Sequence, residues 1–186
     1  MDTYYMLECL DPDVGYLARV EYRDDRYWNA GRRFEVDPKI PIIAQMKMRK
    51  DSVLPEFKKA PLPIMTQRLY QAISKCGVSN LDVYPVILVD KDSGKQLSKD
   101  YVAFNIIGLV SAVDMKKSIF DSAHADRMTA MNINSLTIDE SKTRGALMFR
   151  LAEAVNGIVV HKSVKNAIEA AGVDTLTFIP PEEWVG

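Results

Sequence analysis

Two stretches of the chain repeat apolar residues with the spacing of an α-helix. In residues 67–76 the apolar positions fall at i, i+3, i+4 and i+7, so that they share one helix face. They are Leu69, Ala72, Ile73 and Cys76. Residues 164–171 repeat this spacing. Thr66 and Ser163 are placed to cap the two N-termini, and a glycine follows each stretch, so we predict two helices.

Most of the remaining chain favours strands and turns. Runs rich in β-branched and aromatic residues predict strands at residues 3–10, 32–36, 42–48, 81–89, 101–113, 133–138, 146–151, 158–160 and 175–179. The polar turn at 90–95 predicts a hairpin between 81–89 and 101–113. Both faces of 101–113 are apolar, as in a central strand covered on both sides. The prolines in 54–63 predict an extended connection.

This order of elements has no regular βαβ alternation. It predicts an α+β fold with a mainly antiparallel sheet and two helices packed against it. The length of 186 residues suits one domain, so we expect a single domain over residues 1–186. Within it, residues 1–60 contain no motif that we can assign.

Composition and charge narrow the classes of partner. Charged residues make up 26% of the chain and hydrophobic residues 47%, as in ordinary globular domains. With 24 Lys and Arg against 25 Asp and Glu, the formal net charge is -1. No overall basic field would attract nucleic acid or an anionic membrane, so we expect neither partner.

The compartment is predicted from what the sequence lacks. The longest uncharged stretch, 101–113, is shorter than the ~20 apolar residues of a membrane-spanning helix. The N-terminus has no basic region followed by a cleavage site. Only Cys9 and Cys76 are present, which does not suggest a secreted disulfide framework. We therefore expect a cytoplasmic protein.

Catalytic and metal-binding motifs are weak in this chain. We find no GxGxxG, Walker A, GxSxG, HExxH or CxxC motif, so we expect no cofactor and no metal. Cys76 is interpreted as a structural thiol, and the acidic 90–95 segment as a turn and not a calcium loop. The alternative to a non-enzyme is a small hydrolase whose polar loop supplies Ser118, His124 and Asp126.

Aromatic residues alternate with arginines between residues 16 and 34. Tyr, Trp and Arg are enriched among the residues that dominate the energy of protein interfaces, although aromatic packing on a sheet with solvated arginines is the simpler interpretation. The partner-binding candidates by residue type are Tyr22, Tyr27, Trp28, Arg32 and Arg33. The Trp28 region suits a homo-oligomer interface as well as a contact with another protein.

The second half of the chain resembles a known family. The resemblance rests on short segments in a shared order over residues 81–180. They are 83–86 (VYPV), 101–108 (YVAFNIIG), Val113-Asp114, Ser118, 147–151 (LMFRL), 158–160 (IVV), 170–173 (AAGV) and 178–180 (FIP). Together they resemble the eleventh class of immunity proteins from bacterial polymorphic toxin systems, formerly a domain of unknown function. Asp174-Thr175 stands where that pattern commonly has Thr-Gly.

The resemblance implies a cytoplasmic protein that binds one cognate toxin, often the effector of a secretion system. It would protect the producing cell and its kin during interbacterial competition by stoichiometric inhibition, without catalysis. Two alternatives remain open at this point. One is the small hydrolase described above, and the other is an adaptor or scaffold domain with no toxin partner.

Overall fold

The structure is a computed structural model that describes residues 3–10, 16–20, 27–120 and 133–186. The strands in this part of the chain are β1 (Tyr4–Glu8), β2 (Tyr16–Val20), β3 (Ile42–Lys47), β4 (Phe57–Lys58), β5 (Ile64–Thr66), β6 (Leu81–Asp90), β7 (Gln96–Ile106), β8 (Leu109–Val110), β9 (Ile119–Phe120), β10 (Ile133–Ser135), β11 (Met148–Leu151), β12 (Ile158–His161) and β13 (Thr177–Ile179). The helices are α1 (Gln67–Lys75), α2 (Glu140–Thr143) and α3 (Lys162–Ala170), with a 3-10 turn at Pro181–Glu183.

These strands form two larger sheets and one small one. One sheet has the order β13-β1-β12-β11-β8, and the other has the order β2-β3-β6-β7-β5-β4. Strands β9 and β10 pair separately. Among the described pairs, only β3 with β6 and β8 with β11 run parallel. The prediction of an α+β fold with mainly antiparallel sheets is therefore confirmed.

The predicted hairpin is strands β6 and β7. Asp90 begins the turn, and its carboxylate accepts hydrogen bonds from the backbone N–H and the hydroxyl of Ser93 at 2.8 and 2.7 Å. These bonds hold the pKa of Asp90 below its ordinary value, because they favour the charged form. Strand β7 lies between β6 and β5, and its residues 101–106 are all buried. It is a central strand, as the sequence predicts.

Both predicted helices are present, and one cap differs. The Thr66 hydroxyl accepts from the backbone N–H of Leu69 at 3.2 Å, as expected of the N-cap of α1. The N-cap of α3 is His161 and not Ser163, because Nδ1 of His161 accepts from the Ser163 N–H at 3.1 Å. An imidazole nitrogen thus takes the acceptor role that Ser or Thr usually fills, and α3 starts two residues before the predicted helix.

Two strand predictions need correction, and the predicted extended connection contains a short edge strand. Residues 32–36 are not a strand, because the backbone there passes through bends. The 54–63 connection contains β4, a two-residue strand at the sheet edge, where the nearby prolines do not interrupt a ladder. The predicted 101–113 strand is divided at Gly108 (φ +100°), after which β8 pairs in the other sheet.

The largest apolar core lies where the two main sheets and two helices meet. Alternate residues of β1, β7, β11 and β12 point into this central core, and α1 and α3 cover it and contact each other. Two outer cores lie on the opposite faces of the sheets. Strands β1, β11 and β12 and residues 101–106 of β7 are therefore covered on both faces, which requires nearly continuous apolar sequence.

Two phenylalanine rings stack within the central core. Phe57 of the edge strand β4 lies over Phe104 of β7, with ring centroids 5.5 Å apart and an interplanar angle of 24°. Both side chains have no exposed surface. The stack fixes the 54–63 connection against the middle of the six-stranded sheet.

We predict that Phe104→Ala lowers the free energy of unfolding by about 3–5 kcal/mol, because it leaves a cavity beside Phe57. Urea unfolding followed by circular dichroism measures this loss. Val36→Ala, at a side chain that is 73% exposed, is the control and should change stability by less than about 0.5 kcal/mol. A Phe104→Ala loss below about 1 kcal/mol would contradict the central position of this ring.

Candidate functional site

A cleft of about 430 Å³ opens where the two main sheets approach each other. Residues of the 27–29 segment form one wall, the 59–63 connection forms another, and Arg150 and Asn156 come from the five-stranded sheet and the loop after β11. The lining consists of Tyr27, Trp28, Asn29, Lys59, Ala60, Pro61, Pro63, Arg150 and Asn156. Among the described lining residues none is acidic, whereas Lys59 and Arg150 are cationic.

The aromatic wall of the cleft is fixed by packing. Trp28 is buried, with its ring edge-on to Phe34 at 4.8 Å and to Tyr84 at 5.8 Å between centroids. These contacts place Trp28 in the outer core of the six-stranded sheet. Edge-to-face pairs of this kind add to the energy of simple burial. Trp28 thus presents a wall held by the fold.

The backbone that follows Trp28 is anchored to the end of β7. Gly31 has φ +68°, and its carbonyl accepts from the Gly108 N–H at 2.7 Å. The Asn105 side-chain amide donates to the Arg32 carbonyl at 2.8 Å. A Cβ atom on Gly31 would lie 2.6 Å from Cγ of Leu109. Only glycine fits both this backbone conformation and this close approach.

The partner-binding candidates fall into three environments. Tyr27 and Trp28 line the cleft, but Tyr27 is 73% exposed whereas Trp28 is buried. Arg32 and Arg33 are exposed on the same segment, outside the cleft lining. Arg33 lies 3.6 Å from the Asp82 carboxylate, an exposed pair that contributes little to stability. Tyr22 lies outside the described residues.

Arg150 is the unusual residue of the cleft. It lies on β11 between Phe149 and Leu151, which point into an outer core, so its own side chain points toward the central side of the sheet. Arg150 is 2% exposed, and its Nη1 donates to the Val155 carbonyl at 2.9 Å. Its Nε is buried with no hydrogen-bond partner, and within the described ranges no carboxylate pairs with it.

Burial lowers the pKa of this guanidinium group. Loss of contact with water disfavours the charged form and lowers the pKa of Arg150 to about 10. The group is still protonated at neutral pH. The protein therefore keeps a positive charge in a place where solvation is poor and where no described acidic side chain compensates it.

Lys59, the other cation of the cleft, is compensated. Its Nζ lies 2.5 Å from Oε1 of Glu8, which also accepts from the Trp184 indole N–H at 3.0 Å. Glu8 is the last residue of β1, where it pairs with Thr177 of β13, and Trp184 lies near the C-terminus. The network ties three distant parts of the chain together, and it leaves Arg150 as the uncompensated charge of the lining.

Of the three residues in the hydrolase alternative, Ser118 is described, and its contacts are structural. The Ser118 hydroxyl is buried and accepts from the Thr137 N–H at 2.9 Å. It thus joins the loop after β8 to the segment that follows β10. His124 and Asp126 lie outside the described residues. Cys76 is the C-cap of α1, partly buried, with its sulfur 3.6 Å from the Ser163 hydroxyl.

The described ranges also bear on metal binding and on membrane insertion. There, no group of three or more His, Cys, Asp or Glu side chains is arranged to hold a metal ion. In the same part of the chain, no helix combines the length and apolar character that a bilayer crossing requires.

Sequence reasoning missed Arg150 and Lys59 as members of one site. The sequence does place Arg150 opposite Phe149 and Leu151 across its strand, but that pattern normally indicates a solvated face. A second sheet covers this face, and strand alternation cannot reveal it. The available signal was a lone charge in the otherwise apolar segment LMFRL.

Comparison with protein families decides the relationship of this chain. It matches the family model described as the immunity protein family (Imm11) over residues 8–183. The chain belongs to the immunity protein family. The match extends well beyond the 81–180 segments on which the resemblance rests, so the motif-poor first part of this immunity protein belongs to the family pattern too. A comparison with curated proteins found no match.

Membership confirms the central functional prediction. This immunity protein neutralises a cognate toxin by binding it, and it is an inhibitor and not an enzyme. Neither the hydrolase nor the adaptor alternative gains support from the family match.

The anchored 27–34 segment leads to a stability prediction. Gly31 and Gly94 share φ +68°, but a Cβ on Gly94 would meet nothing within 4 Å. We expect Gly94→Ala to cost about 1 kcal/mol for the left-handed backbone alone. Gly31→Ala should cost about 1–3 kcal/mol more because of the clash with Leu109.

Chemical unfolding of both variants measures the difference, and Gly94→Ala serves as the matched control. Adding Leu109→Ala to Gly31→Ala should recover part of the extra loss, because it removes the atoms nearest the new Cβ. Equal losses in Gly31→Ala and Gly94→Ala would show that the close approach to Leu109 does not restrain the segment.

Proposed function

We propose that this immunity protein contacts its toxin through the face formed by the 27–34 segment and the adjoining cleft. The carrying observation is Tyr27, a large aromatic side chain that is 73% exposed at the cleft. Tyrosine is enriched among residues that dominate binding energy, because it covers much area and loses little entropy on ordering. In the complex, the toxin would cover this exposed side chain.

Preorganisation supports the same face. The hydrogen bonds from Gly108 and Asn105 hold the backbone of the segment, and the Trp28 ring is immobilised by two aromatic contacts. An inhibitor with a surface already in its bound shape loses less entropy on association. The smaller loss of entropy on association favours tight stoichiometric inhibition.

Charge complementarity is the third support. The 27–34 segment displays Arg32 and Arg33 and carries no acidic residue. Arg33 lies near Asp82 and Lys59 is paired with Glu8, so Arg32 and the Arg150 of the cleft supply the positive charge of this face. The face suits an acidic surface on the toxin, which would accelerate association and select the correct partner.

The proposal also covers the compartment, the number of domains and the stoichiometry of the complex. The immunity protein acts in the cytoplasm as a single domain over residues 1–186, without a nucleic-acid or membrane partner. The family match over 8–183 and the central core shared by both main sheets support one domain. A toxin of one subunit would form a one-to-one complex. Homo-oligomerisation through the Trp28 region would compete with toxin binding.

The first experiment is co-expression with the product of the neighbouring gene. We expect that product to kill the host alone, and the immunity protein to restore growth and co-elute with it as a defined complex. Light scattering of the complex gives its stoichiometry. Rescue without co-elution would contradict inhibition by binding. A harmless neighbour would direct the search for the toxin to other loci.

We predict that Tyr27→Ala weakens toxin binding at least tenfold while leaving the fold intact, because it removes a surface anchor and no core contact. Arg32→Ala with Arg33→Ala should mainly slow association, and more so at low salt. Surface plasmon resonance measures both effects. Val53→Ala and Arg49→Ala, at exposed positions outside the cleft lining, are the matched controls. Unchanged affinity in Tyr27→Ala would contradict the proposed face.

A further inference from the structure

The uncompensated Arg150 points to the chemistry of one toxin residue. We propose that the cleft is a carboxylate receptor in which Arg150 binds the acidic side chain of an Asp or Glu residue on the toxin. This inference rests on the proposed function and names the group that the toxin places in the cleft.

The first argument is the donor inventory of Arg150. A guanidinium group has five N–H donors, and the hydrogen bond recorded for Arg150 goes from Nη1 to the Val155 carbonyl. Nε is buried and has no partner. Buried donors of charged groups are nearly always satisfied, because an unmade bond costs the full loss of hydration. The described part of the chain therefore supplies no acceptor to this group.

The second argument is that the missing acceptor should be anionic. Arg150 is 2% exposed and carries its charge into the cleft without a described acidic partner. Water would satisfy an N–H group but not the charge. A carboxylate satisfies both, and its two oxygens match the forked geometry of the guanidinium group. Lys59 does not compete for it, because Glu8 already neutralises Lys59.

The third argument is the shape of the site. The cleft of about 430 Å³ is open to solvent beside Tyr27 and walled by Trp28 and Pro61. An acidic side chain of a neighbouring surface can enter between these apolar walls. They would exclude water from the ion pair and strengthen it. The exposed Tyr27 would then cover the entry on the rim of the interface.

Nuclear magnetic resonance tests the receptor without the toxin. The Nε–H signal of Arg150, assigned by its loss in Arg150→Lys, is followed in the unmodified protein while acetate is added at constant ionic strength. Acetate represents the acidic side chain, and acetamide is its neutral counterpart. We expect a saturable shift of this signal with acetate and none with acetamide. Equal shifts with acetate and acetamide, or with acetate and chloride, would overturn the carboxylate assignment.

The toxin complex gives the second test. Arg150→Met should bind the toxin at least tenfold more weakly than the unmodified protein, and Arg49→Met should bind it as tightly. Arg150→Lys keeps the charge but loses the fork, so its affinity should fall between them. Circular dichroism confirms that each variant is folded. Equal affinities of Arg150→Met and Arg49→Met would overturn the inference.

The two tests separate this inference from the proposed function. If the unmodified protein neutralises the toxin and Tyr27→Ala weakens binding, but Arg150 responds to neither acetate nor substitution, the face stands and the receptor fails. If Arg150 binds acetate but the toxin binds elsewhere, Tyr27→Ala and Arg150→Met will both bind the toxin with normal affinity. In that case the proposed face fails, and so does the proposal that Arg150 binds a carboxylate of the toxin.

Discussion

The central apolar core between the two main sheets is the constraint on which the rest of this structure depends. Because β1, β11, β12 and residues 101–106 of β7 are covered on both faces, nearly all of these side chains contact one core or another. A polar side chain on these strands must therefore find partners inside the protein or remain unsatisfied. Asn105 and Arg150 are the two cases that matter, and each leaves one polar atom without a partner. Asn105 uses its amide group to hold the 27–34 segment, and Arg150 lines the cleft beside it.

The cleft follows from the way in which the sheets approach each other. The 59–63 connection adjoins one main sheet, and the loop after β11 adjoins the other. The Lys59–Glu8 pair joins the 59–63 connection to β1 across the junction of the two sheets. Trp28 closes one side with a ring held in the outer core. The aromatic contacts of Trp28 and the hydrogen bonds at Gly31 and Arg32 hold one wall of this cleft, which favours recognition by complementary shape and charge over folding on binding.

Much of the fold could be predicted because local patterns determine it. The apolar stripe and Thr66 cap of α1, the β6–β7 hairpin and the two-sided burial of β7 all follow from periodicity and turn chemistry. Features that depend on distant contacts could not be predicted. The backbone at 32–36 passes through bends, and hydrogen bonds from Gly108 and Asn105 hold its start at Gly31 and Arg32. The burial of Arg150 results from a second sheet, and a single-strand pattern carries no information about what covers its other face. The capping role of His161 was missed because imidazole rarely takes it.

The anchored backbone at Gly31 separates the residues under selection for folding from those under selection for recognition on the proposed face. Its contacts with Gly108 and Leu109 involve main chain and an apolar side chain, whereas Tyr27, Arg32 and Arg33 are exposed side chains of the proposed face. If the toxin contacts the proposed face, substitutions at these exposed positions would change what the surface recognises but leave the supporting hydrogen bonds in place. Descendants of this protein could then follow an evolving toxin by surface change alone, with a small cost in folding at each step.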